Sequence, residues 1–159
     1  MNDRPASDSA LSRMIEETPI LRFLGVEFER RGDELTAILR YHKGLIGNPF
    51  LPALHGGAIG AFLEATALTE LALAAYGAEG KGQGGSLSPM PRTIDITFDY
   101  LRSGKPQDCY ARAFILRRGR RVANLRIEAW QESRDKPIAS AHGNFLMPGL
   151  VASAPAQKS

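Results

Sequence analysis

A single cysteine, Cys109, is all the thiol this 159-residue chain carries, so no disulfide can close within it and a reducing compartment suits it best. No Cys/His cluster has the spacing of metal ligands, so no metal is expected. No apolar run reaches the roughly 18 residues of a membrane span, because Glu64 and Glu70 interrupt the one candidate. The N-terminal run MNDRPASDSA has no apolar h-region, so no secretory signal is expected. GKGQGG at 80–85 is glycine-rich but lacks the Gly-Lys-Ser/Thr ending of a phosphate-binding loop, and reads as a flexible connection. Excess charge is also scarce: 20 Lys and Arg against 17 Asp and Glu give +3, too little to argue for nucleic acid but suited to an anionic small ligand. These absences point to a cytoplasmic protein with no membrane and no nucleic-acid partner.

What is present is the composition of one globular domain, 43% hydrophobic and 23% charged. Residues 1–9 read as polar and loose, and 10–24 as a short helix interrupted near Pro19, so 1–19 form an N-terminal segment ahead of a single domain over 20–148. GVEFERRGDELTAILRY reads as a hairpin turning at Arg31-Gly32-Asp33. Residues 42–54 form a Gly- and Pro-rich loop, and a helix follows over 56–75, ended by Gly77. Four strand-like runs come next, at 92–102, 107–117, 121–132 and 138–147, separated by short polar turns. In the first, Ile94, Ile96, Phe98 and Tyr100 alternate with Thr93, Asp95, Thr97 and Asp99, which predicts a sheet with one apolar face. Residues 149–159 read as a disordered tail. The long helix is apolar on almost every side (Ala58, Ile59, Phe62, Leu63, Leu68, Leu71, Leu73), so it must be surrounded. The expected fold is therefore α+β, a strongly curved antiparallel sheet wrapped around one central helix.

The helix start carries the chemistry. Its first backbone N–H groups have no intrahelical partner and lie at the positive end of the dipole. Gly56 and Gly57 have no side chains, so a carbonyl oxygen can approach those donors as it would an oxyanion hole. His-Gly-Gly can also be no more than a tight turn into the helix. Glu64 adds a carboxylate, though it can equally be an acid reaching solvent or a buried polar partner. It lies seven residues past Gly57, about 10 Å along the axis, so one helix cannot easily bring both groups to one carbon. Two copies packed antiparallel across a two-fold axis can, which predicts a homodimer with two interfacial sites.

Three phrases, NPFLPALHGGAIGAFLE, RTIDITFDYLR and RRGRRVA, resemble the hotdog-fold acyl-CoA thioesterases of the PaaI-like group, over about residues 21–147. The resemblance implies the hotdog fold, assembly as a homodimer or a dimer of dimers, and hydrolysis of acyl-CoA to a carboxylic acid and free coenzyme A. It implies no cofactor, coenzyme A being part of the substrate. By position, Gly57, with Gly56, would polarise the thioester carbonyl, and Glu64 would be the nucleophile or the general base. His55 and Asn48 would orient the thioester and shape the loop, and Thr93 would help hold water or the carboxylate. Many members have Asp where this chain has Glu64, which leaves the nucleophilic and general-base routes both open. Arg117, Arg118, Arg120 and Arg121 at a hairpin tip suit the phosphates of coenzyme A, or form a merely solvated turn. A non-catalytic acyl-CoA binding module and a hotdog hydratase or dehydratase are the alternative readings.

Overall fold

The structure, a computed structural model, describes the backbone of residues 6–78 and 90–148, with side chains over 11–75 and 90–148. The expected loop at 80–85 and the expected tail at 149–159 lie outside the described residues.

Two short helices open the chain, α1 (Ala6–Glu17) and α2 (Pro19–Leu24). Pro19 breaks the run between them because a proline has no N–H to donate, yet it suits the first turn of the helix it begins. Helix α1 starts at Ala6, inside the stretch expected to be loose. Its Leu11 and Met14 are buried in the same core as the central helix, so apolar burial holds the N-terminal segment to the domain. Helix α2 ends at Gly25, whose φ of +73° takes the left-handed cap that glycine accepts without strain.

Strands β1 (Val26–Arg31) and β2 (Glu34–Leu39) form the expected hairpin. The loop at 42–54 is more ordered than its composition suggests. A 3₁₀ turn (Lys43–Leu45) leads into β3 (Ile46–Asn48) and β4 (Leu51–Leu54), a two-stranded ribbon of its own. Helix α3 runs Gly56–Ala78 and passes through Gly77, which keeps a negative φ. The alanines at 74, 75 and 78 favour helix enough to absorb the roughly 1 kcal/mol that a glycine costs there.

Strands β5 (Arg92–Tyr100), β6 (Cys109–Arg118), β7 (Val122–Trp130) and β8 (Ala139–Leu146) join β1 and β2 in one antiparallel sheet, ordered β1-β2-β6-β7-β8-β5. The sheet curves around α3, which packs on β2, β5, β6, β7 and β8. Its inner face is rich in alanine (Ala111, Ala123, Ala129, Ala139, Ala141), all of them buried. These small side chains make room for the thick helix, whose Phe62, Leu63 and Leu71 are fully buried against them. Thr66 and Thr69, buried on the helix, donate their hydroxyls to the carbonyls of Phe62 and Ala65 at 2.8 Å. Glu64 and Glu70 do not disqualify the run as expected: by length and composition Gly56–Ala75 could cross a bilayer, but more than half of its apolar window is buried inside this fold as the central helix.

Glu70 is the misfit of α3. Burial pushes its carboxyl above the usual range, and Arg30 offsets this only in part. A raised folded-state value means that the native protein holds this proton more tightly than the unfolded chain, so stability falls as pH rises through and above about 4.5. Glu70→Gln is therefore expected to raise the Tm at neutral pH, with the gain vanishing in thermal melts below pH 4.

Candidate active site

The Gly56 residue opens α3 directly after His55, and the chain there is held on several sides. His55 N–H donates to the Leu45 carbonyl at 2.8 Å, tying the helix start to the 3₁₀ turn. The Gly57 N–H donates to His55 Nδ1 at 2.9 Å. His55 is thus the side-chain cap of α3, and as an acceptor its Nδ1 carries no proton, which leaves that proton on Nε2. Two glycines fit around the ring. A Cβ on Gly47 would lie 2.3 Å from His55 Cδ2, and one on Gly57 would lie 2.9 Å from Nδ1.

This cap moves the open donor. Gly57, with Gly56, was expected to bind the carbonyl; the Gly57 N–H donates to His55 instead. Among the described residues no hydrogen bond is made by the Gly56 N–H, which as the first helical residue has no intrahelical partner.

Glu64 sits two turns further along the same helix, half-buried. Its Oε1 accepts the Thr93 hydroxyl at 2.5 Å. The contact depends on an irregularity that alternation alone does not reveal. The register of β5 on β8 shifts between Thr93 and Asp95, leaving Ile94 as an extra residue that is 54% exposed. The bulge reverses the alternation, so Thr93 shares the helix-facing side with Ile96 and Phe98 rather than the opposite one. Asp95 faces away and accepts from Asn144 Nδ2 at 3.1 Å. Gly143 makes the bulge feasible: a Cβ there would lie 2.4 Å from the Asp95 carbonyl oxygen.

The remaining expected residues are dispersed. Asn48 lies at the tip of the β3–β4 ribbon, where its Oδ1 accepts the Phe50 N–H at 2.9 Å in an Asx turn. The turn leaves Phe50 94% exposed. The arginines lie at the other end of α3: Arg118 Nη1 donates to the Ala74 carbonyl at 3.0 Å, about 27 Å along the helix from Gly56. Arg117, Arg120 and Arg121 are exposed and make no ion pair among the described residues. Phe62 is fully buried in the core.

One residue of the site was not singled out by the sequence. Tyr100, at the end of β5, donates its hydroxyl to the Gly56 carbonyl at 2.7 Å. Its ring lies 3.4 Å from where a Cβ on Gly56 would stand, and its oxygen 3.3 Å from one on Gly60. The available signal was its place in the apolar row of β5, which read as packing. Phe98, in the same row, also approaches Gly60. Strand β5 therefore lies along one face of α3, with Thr93 at Glu64, Phe98 at Gly60 and Tyr100 at both Gly60 and Gly56.

Against known proteins, the family described as acyl-CoA thioesterase N-terminal domain matches residues 48–146, from the end of β3 through β8, with Asn48, His55, Gly56, Glu64, Thr93 and Tyr100 inside the match. The chain belongs to the hotdog-fold acyl-CoA thioesterases. Among the relatives of this thioesterase, the medium/long-chain acyl-CoA thioesterase YigI of Escherichia coli K12 is 29% identical over 133 residues, covering 81% of this chain and 85% of that protein. The YigI of Salmonella typhimurium is 30% identical over 134 residues with the same coverage. The solved structure of E. coli PaaI, from the phenylacetic acid degradation operon, matches the fold with a TM-score of 0.71 at 16% identity, covering 91% of this chain and 94% of that one.

Proposed function

We propose that this thioesterase hydrolyses medium- to long-chain acyl-CoA, with Glu64 as general base and the Gly56 N–H as oxyanion donor, the two supplied by different subunits of a homodimer. The observation that carries the reading is the Thr93–Glu64 hydrogen bond on the helix whose start leaves one amide open. The hydroxyl occupies Oε1 and leaves Oε2 for water, which favours the base over the nucleophile. Glu64 takes a proton from that water as its oxygen attacks the thioester carbon. The carbonyl oxygen gains negative charge and accepts from the Gly56 N–H. The C–S bond then breaks, and the sulfur leaves with the proton as free coenzyme A. The acyl class follows the relatives, which act on medium and long chains.

A shared site follows from length. Gly56 and Glu64 are eight residues apart, about 12 Å along one helix, too far to serve one carbonyl and one water. An antiparallel second copy of α3 would bring its Glu64 beside this Gly56. The same arrangement would bring the partner's arginine hairpin towards this helix start, where Arg117, Arg120 and Arg121 could meet coenzyme A phosphates. Arg118 would stay with its helix carbonyl.

The test of function is thiol release from an acyl-CoA panel graded by chain length. Turnover peaking at medium or long chains supports the reading. Coenzyme A binding without turnover on any member would make the protein a binding module instead. A mixing experiment tests the shared site. Gly56→Pro removes the donor at a position where proline suits a helix, and is expected to be inactive, like Glu64→Ala. Co-refolding the two inactive variants in equal amounts is expected to restore about a quarter of wild-type activity, since half the dimers are mixed and each has one intact site. No recovery would place donor and acid in the same subunit.

A further inference from the structure

We propose that Tyr100 is a positioning residue for thioester hydrolysis, holding the double-glycine helix start in the one geometry that presents the Gly56 N–H to the substrate. The proposal rests on the thioesterase reading above and adds to it a residue outside the acid and its hydroxyl partner.

Two adjacent glycines at a helix start are the least restrained backbone available, and an oxyanion donor that must be ordered at each turnover loses most of its value. The Gly56 N–H shares its amide with the His55 carbonyl, which accepts from the Ala58 and Ile59 N–H groups at 3.0 and 3.1 Å, and three further contacts restrain the amides on either side of it. The His55 N–H is held by the Leu45 carbonyl, the Gly57 N–H by His55 Nδ1, and the Gly56 carbonyl by the Tyr100 hydroxyl. The last two act on one peptide plane, because the Gly56 carbonyl and the Gly57 N–H belong to the same amide. Tyr100 fixes one end of that plane and His55 the other. Donation into the carbonyl also polarises the amide and strengthens its N–H bond to the His55 ring.

Tyr100 acts from outside the helix, which is why its effect is separable from folding. It is the last residue of the edge strand β5 and is 53% exposed, so its ring contributes little to the core. Its ring reaches over Gly56, where a Cβ would stand in ordinary contact at 3.4 Å, and its oxygen over Gly60, one turn on, where a Cβ at 3.3 Å would be tight. The same strand carries Thr93 to Glu64, so one edge strand positions both the acid and the amide.

Tyr100→Phe keeps the ring and removes the hydroxyl. In the full chain, assayed on the acyl-CoA that the wild type turns over best, kcat is expected to fall about tenfold with KM changed by less than about twofold, the pattern of an interaction felt in the transition state. The Tm is expected to match that of the wild type, and the Gly57 amide to exchange faster with solvent, as seen by NMR. Tyr100→Leu, which also loses the ring, is expected to lose the same kcat and some Tm. A Tyr100→Phe kcat within about twofold of wild type overturns the proposal, as does a kcat loss accompanied by a matching fall in Tm. Failure here leaves an active wild type with an indifferent tyrosine; failure of the thioesterase reading leaves a wild type that turns over no acyl-CoA, and takes this proposal with it.

Discussion

Glu64→Ala is expected to lower kcat by about two to four orders of magnitude, the range that a positioned general base contributes, while acyl-CoA still binds. The expectation rests on how little else is available. On the strand side of α3, the polar pair that the described residues bring together here is the Glu64 carboxylate and the hydroxyl that donates to it. The buried hydroxyls of Thr66 and Thr69 are turned back onto the helix carbonyls and face no substrate. Thr93→Val should be milder, because it removes the group that holds Oε1 and leaves the acid in place. The measurement is steady-state thiol release with a parallel binding titration. Near-normal hydrolysis by Glu64→Ala would move the base elsewhere; a loss of binding together with turnover would mean that Glu64 holds up the pocket rather than performing the chemistry.

The second large effect is expected at a residue that touches no substrate. Gly143→Ala places a methyl group 2.4 Å from the Asp95 carbonyl oxygen and 3.1 Å from Ile96 Cα, both backbone atoms that no side-chain rotation can clear. Strand β5 must move off β8 or give up its bulge. Overpacking of this kind costs about 1–3 kcal/mol, and in a chain of this length each kcal/mol lowers Tm by roughly 2–4 °C. The functional loss should exceed what that instability explains. Without the bulge, Thr93 returns to the face turned away from α3, and Glu64 loses its hydrogen bond. Thermal melts and kinetics on the same preparation decide the matter. A lower Tm with unchanged kcat well below the melt would show that the Thr93–Glu64 contact survives without the bulge.

That bulge also marks the limit of what alternation can tell. The long helix, its encirclement and the four strands after it were legible because each rests on many residues repeating one period. The reversal at Ile94 rests on one inserted residue and on a glycine on another strand, 49 positions away. Thr93 was expected in the site from family resemblance, whereas the strand pattern alone put it on the wrong face. The β3–β4 ribbon was missed because strands of three and four residues are too short to show a period. At the helix start, the double glycine told of close approach but not of which amide stays open. That choice depends on the His55 ring, whose direction is a matter of three-dimensional packing against Gly47 and Gly57. Tyr100 looked like one more apolar residue because its ring shares a face with Phe98, and only its hydroxyl distinguishes it.

Cys109 lies at the start of β6, fully enclosed, and burial pushes its thiol up to about 12. At neutral pH it is protonated and out of reach, so it neither attacks a disulfide nor accepts one. The released coenzyme A is itself a thiol, and under oxidising conditions such a product would cap any exposed protein sulfhydryl as a mixed disulfide. With its lone cysteine sealed in the sheet, the native enzyme offers its product nothing to cap. Thiol-reactive dyes added to follow the reaction will therefore count coenzyme A and not the protein.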